Sequence, residues 1–292
     1  PDEDKLTQPL PERIASRDIM LLVLTCAAGL VDAISYLEMG HVFTAMMTGN
    51  TVLLALAIGQ GEVMAALRST LALVAFSVGA AGGAMVLRRG RARGEWPAIV
   101  TATLAIEAVV LAVFAALWQV QGASGRAGAL LLVLIALSGL AMGIQAAAVR
   151  HLGVPGVAST YITGTLTSLM AELVTGSATR HLRLLASVFL VYGAGALIGT
   201  VLQARSSSLL AWLPFVCVAV VVVNGLVRHR EPRAGLQVES VLVRTGPLHR
   251  EASEEPKRPG SVHRDAGHVP QEQDPGRRRL AYPLPEPAAE LL

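Results

Sequence analysis

Between Ile19 and Val227 the chain passes through eight apolar stretches, most of them close to the length that crosses a bilayer. This pattern limits the possible folds more than any other feature. A hydrocarbon core about 30 Å thick takes roughly 20 residues of helix. Within it the backbone must satisfy its own hydrogen bonds, so the spacing predicts helices throughout. The stretches run from about Ile19 to Met39, Val42 to Gly59, Ser69 to Leu87, Pro97 to Trp118, Gly128 to Val149, Val157 to Thr175, Leu184 to Leu202 and Leu209 to Val227. Hydrophobic residues make up 53% of the 292 and charged residues 15%, far from the balance of a water-soluble domain. The first stretch lacks a short apolar region followed by a small-residue cleavage site, so it is expected to be a retained helix.

The halves resemble one another. "GLVDAISYLEMG" (Gly29 to Gly40) aligns with "MGIQAAAVRHLG" (Met142 to Gly153), which sets Asp32-Ala33 on Gln145-Ala146. Thr48-Gly49-Asn50-Thr51 falls on Thr163-Gly164-Thr165-Leu166 after a two-residue insertion, and Gly79 and Gly83 fall on Gly195 and Gly199. Such small-xxx-small pairs let helix backbones approach closely. A glycine-rich third helix also makes a homodimer conceivable.

Charge then decides how many stretches cross. Eight crossings would set "RRGRARGE" (Arg88 to Glu95) and the arginines at 228, 230 and 233 on opposite faces, against the excess of Lys and Arg expected on the cytoplasmic side. If the second stretch of each half enters and leaves on one face, these arginines and both termini share the cytoplasmic side. The predicted fold is therefore all-α, with six transmembrane helices in two inverted three-helix repeats, each repeat carrying one re-entrant or broken segment. Its parts are a cytoplasmic N-terminal segment (1–17), a membrane domain (18–228, repeats about 18–118 and 128–228) and a disordered, Pro- and Arg-rich cytoplasmic tail (229–292). Gly49 and Gly164 are the expected positions of the breaks; alternatively, each stretch is a short, tilted helix whose glycine packs closely against a neighbour. Non-helical backbone at that depth needs protein or a water-filled cavity to satisfy it.

The runs "GLVDAISYLEMGHVFTAMMTGNTVLLALAIG" and "GLAMGIQAAAVRHLGVPGVASTYITGTLTSL" resemble the YoaK-like family of bacterial inner-membrane proteins, a domain of unknown function. The resemblance rests on Gly29, Asp32, Ala33, Gly40, Phe43, Thr48, Gly49 and Asn50, and covers roughly Asp18 to Val227. It implies a polytopic protein of the bacterial inner membrane and supplies neither substrate nor reaction. The second copy departs from it, with Gln145-Ala146 where Gln-Asn is expected.

Asp32 is the leading candidate for a functional side chain, because an ionised carboxylate deep in a membrane helix costs at least about 2.5 to 3.5 kcal/mol on insertion scales. It can bind a cation, carry a proton or hold a polar substrate. Alternatively, it is a structural carboxyl bonded to a broken backbone nearby. Gln145 takes the matching place, either on a substrate or in a helix-helix hydrogen bond. Thr48, Gly49, Asn50, Thr163, Gly164 and Thr165 are the expected polar lining, and Glu107 is a relay or packing carboxyl. Cys26 and Cys217 read as buried hydrophobes. No phosphate loop, nucleophile elbow, zinc motif or basic-aromatic interleaving is present in the sequence, so neither catalysis, a cofactor, a metal nor nucleic acid is expected. The expected partners are the bilayer and a small solute or ion. The expected function is a transporter or channel with its site between the repeats; the alternative is a non-transporting membrane scaffold or sensor.

Overall fold

The computed structural model describes residues 16–90, 95–120, 128–157, 160, 162–176, 179–205 and 207–230. The tail expected from His229 onward lies outside the described residues beyond Arg230, as do residues 1–15. Among the described residues the regular elements are all helices: α1 (Ser16–Glu38), α2 (Met47–Gln60), α3 (Val63–Arg88), α4 (Ala98–Val120), α5 (Ala129–His151), α6 (Ile162–Thr175), α7 (Thr179–Gln203), α8 (Ser207–Leu210) and α9 (Trp212–Arg230). Six runs are long and apolar enough to cross a membrane: α1, α3, α4, α5, most of α7, and Ser208–His229 through α8 and α9. At 14 residues each, α2 and α6 are about 21 Å long and fall short of the core thickness.

Local chemistry sets the helix ends. Gly61 closes α2 in the left-handed region at φ 73°, its N–H donating to the carbonyl of Ile58 at 3.2 Å while the Glu62 N–H reaches that of Ala57 at 2.8 Å. This double return satisfies the last carbonyls and turns the chain straight into α3. Gly176, at the matching place in the second half, ends α6 at φ 66°. Gly40 and Gly153, which leave α1 and α5, form a second matched left-handed pair, at φ 82° and 63°. Pro97 precedes α4, where a missing N–H does no harm.

Two apolar clusters show how the helices run. The larger gathers Leu21 and Leu24 from the start of α1, Val100 and Leu104 from the start of α4 and Leu185 and Val188 from the start of α7, together with Leu87 and Val149 near the ends of α3 and α5, while Gly225 near the end of α9 lies against Thr101 and Trp96 at the start of α4. The smaller gathers the opposite ends: Ile34 of α1, Ala72 of α3, Phe114 and Trp118 of α4, Leu134 of α5 and Leu210 of α8. Thus α1, α4 and α7 start where α3, α5 and α9 finish. That shared end carries Arg88, Arg150, Arg180, Arg183 and Arg228 and is called the arginine end below. Trp118 is buried in the smaller cluster.

Small residues set the closest contacts, and the partners come from opposite halves of the chain. A side chain at Gly29 would strike the backbone of Tyr192 on α7, and one at Gly195 the carbonyl of Cys26 on α1. Likewise Gly79 of α3 lies on the Leu140 carbonyl of α5, and Gly143 of α5 on that of Phe76. The first helix of each half therefore packs against the third helix of the other. The glycine face offered for a homodimer is taken up by α5. Helices α2 and α6 lie outside this bundle, against α3 and α7. Only Asn50 and Ala57 of α2 are buried, whereas Val52, Leu56 and Ile58 face outward.

Candidate functional site

Asp32 lies six residues before the end of α1, about 9 Å back along the helix axis. The chain leaves α1, turns through Gly40 and His41 (φ 60°), and doubles back to the level of this carboxyl before α2 begins at Met47. One carboxyl oxygen, Oδ1, accepts the backbone N–H of Thr44 at 2.8 Å and that of Ala45 at 2.7 Å. The other, Oδ2, accepts the Tyr192 hydroxyl from α7. Asp32, Thr44 and Ala45 are all buried. The carboxyl thus supplies what a non-helical segment in an apolar setting needs, acceptors for N–H groups that have no helical partner.

Asn50 completes the same clamp from the first turn of α2. Its Oδ1 accepts the Phe43 N–H at 2.9 Å, and its Nδ2 donates to the Phe43 carbonyl, so one side-chain amide pairs both backbone groups of one residue. Gly49 leaves room for the ring of that residue, since a Cβ there would meet Phe43 Cδ2 at 3.0 Å. Tyr36 stacks on Phe43 with ring centroids 5.1 Å apart, and His41 packs edge-on against Tyr36.

The expected break therefore shifts. Gly49 and Gly164 lie within the first turns of α2 and α6, and the non-helical backbone of the first half precedes Thr-Gly-Asn instead of passing through it. Thr48 and Thr163 are exposed, while Thr165 is buried. Asp32 and Gln145, paired by sequence, are not brought together. Gln145 Nε2 donates to the Leu24 carbonyl at 3.0 Å, tying α5 to α1.

Glu107 has the opposite environment. It lies on the inward face of α4 with Val100, Leu104 and Leu111, about 14 Å from the arginine end, and is fully buried. Neither of its carboxyl oxygens has a hydrogen-bond partner among the described residues. Asp32 lies about 24 Å from the same end, so the two acids occupy different levels. Cys26 of α1 and Cys217 of α9 are free, half-buried thiols that pack against the smaller apolar cluster. Among the described residues no group of three or more His, Cys, Asp or Glu side chains is arranged to hold a metal.

Tyr192 is the site residue that sequence reasoning missed. Its one signal was the mismatch with Phe76, which holds the corresponding place relative to the repeat-matched glycines at 79 and 195.

Helical spans, two short helices and a buried polar clamp define a multi-pass helical membrane protein. The chain belongs to the family described as "Protein of unknown function (DUF1275)", whose model matches residues 20–224. It is 37% identical over 214 residues to the "UPF0700 transmembrane protein YoaK" of Bacillus subtilis (strain 168), a match covering 70% of this chain and 92% of that protein. No solved structure matches it.

Proposed function

We propose that this protein moves a small solute or an ion across the bacterial cytoplasmic membrane through the interior of the bundle, with Glu107 as its exchangeable group. The observation that carries this reading is the burial of Glu107 without a hydrogen-bond partner among the described residues. A carboxyl kept at that depth has a standing cost, and a group that exchanges a proton or a cation is the usual reason for keeping one. Asp32 has a different part: it holds the doubled-back segment in place, so the expected coupling role passes to Glu107. The opposed directions of α1 and α5, and of α3 and α7, support two inverted halves with the site between them. The arginine end faces the cytoplasm in this reading, with both termini on that side. No covalent chemistry is assigned. A homodimer would use the outward face of α3 around Val74 and Val78, because Gly79 and Gly83 already meet α5.

The test uses the full chain in vesicles loaded with a pH-sensitive dye and challenged with amino acids, sugars, organic cations and inorganic ions in turn. At least one solute should drive a pH change absent from protein-free vesicles and lost in Glu107→Gln. Equal fluxes in Glu107→Gln and the parent would remove the carboxyl from the mechanism. No flux with any solute would favour the scaffold or sensor reading.

A further inference from the structure

A cavity of about 690 Å³ opens between the C-terminal ends of α3 and α5, at the arginine end of the bundle. Its walls divide by chemistry. Phe76, Ala80 and Leu87 form an apolar floor along α3, while Arg88, Arg150 and His151 stand around it. Neither guanidinium has an acidic partner among the described residues, and His151 Nε2 is buried with no hydrogen-bond partner among them. Two cations beside a greasy channel fit a molecule with a negative head and an apolar body.

In the first half the segment after α1 is drawn in by Asp32, Asn50 and the Tyr192 hydroxyl. Phe76, which matches Tyr192 in its spacing from the repeat glycines, lines this cavity with an apolar ring.

We propose that this cavity binds an anionic phospholipid, its phosphate held between Arg88 and Arg150 and its acyl chains lying along Phe76, Ala80 and Leu87. Arginine forks match phosphate oxygens, and basic pockets between membrane helices are suited to acidic headgroups. The volume falls within the usual range for small-molecule sites. A bare phosphate ion would leave the apolar wall unused. This inference does not depend on transport.

Native mass spectrometry of the purified full chain, given phosphatidylglycerol or phosphatidylcholine of identical acyl chains, tests it. Each arginine near an anionic headgroup is worth about a fivefold preference, so the double variant Arg88→Gln/Arg150→Gln should lose roughly thirty-fold in selectivity for phosphatidylglycerol. Arg228→Gln, at the same end but outside the cavity, should keep it. Ala84→Phe, which fills the cavity from an exposed position, should weaken both lipids without lowering the melting temperature. Millimolar inorganic phosphate should not displace the lipid. Equal binding of the two lipids, an equal loss in Arg228→Gln, unchanged binding in Ala84→Phe or displacement by phosphate would each overturn the proposal.

Discussion

Replacing Asp32 by alanine should loosen one short segment while leaving the bundle assembled. The change removes the acceptor of the Thr44 and Ala45 N–H groups, both buried, and the acceptor of the Tyr192 hydroxyl. A buried donor left unpaired costs about 1 to 3 kcal/mol, so the two amides alone amount to roughly 2 to 6 kcal/mol. The segment has a cheaper option, which is to swing outward and find water. Its open fraction should therefore rise by about thirty-fold for 2 kcal/mol, and about a thousandfold for 4. Hydrogen exchange read by mass spectrometry on a peptide spanning residues 39–50 measures this directly, with a peptide from the middle of α4 as control. Asp32→Asn keeps an acceptor for both amides and weakens chiefly the tyrosine contact, so about 1 kcal/mol and a fivefold rise are expected. Exchange in Asp32→Ala within twofold of the parent, with the α4 peptide also unchanged, would show that the carboxyl does not hold the segment.

Other substitutions probe separate links. Gly79→Ala should force α3 away from the Leu140 carbonyl and lower the melting temperature in detergent by several degrees, whereas Gly82→Ala, which meets nothing within 4 Å, should leave it unchanged or slightly higher. Asn50→Ala should cost about 1 to 3 kcal/mol in a denaturant titration, because the Phe43 N–H loses its acceptor. Thr48→Ala, at an exposed position of the same motif, should stay within about 0.5 kcal/mol. Glu107→Leu should raise stability by about 1 to 3 kcal/mol, since an unpartnered buried carboxyl gives way to an apolar side chain. The same variant should abolish any solute-driven flux. A fall in its stability would mean that Glu107 has a partner in the folded protein.

The helices were legible in the sequence because each criterion is local. Apolar length marked eight stretches, the placement of the arginines reduced the crossings to six, and the matched Thr-Gly pairs marked the two that do not cross. The break was misplaced because Thr-Gly-Asn looked like an interruption in an apolar run, yet the chain bends at Gly40 and His41 and starts α2 ahead of Gly49. Asp32 was found by its cost, and a bond to nearby broken backbone was one of its two readings, but the sequence did not say which groups it holds, at Thr44, Ala45 and Tyr192. No local pattern announces a tyrosine 160 residues away. The glycine pairs were likewise visible as contact surfaces, though their partners were hidden: sequence spacing says that Gly29 and Gly195 favour close approach, but not that each meets the other half.

That crossed pairing bears on how the chain is made. During synthesis α1, α3 and α4 enter the membrane first, but α1 lacks its closest neighbour until α7 arrives, and α3 waits for α5. The early half therefore spends part of its biogenesis with bare backbone grooves at Gly29 and Gly79 open to lipid or to an insertion chaperone. A gene cut between α4 and α5 would yield two fragments, neither of which could bury its own glycine face. The two products should be recovered only when expressed together, each serving as the template on which the other finishes.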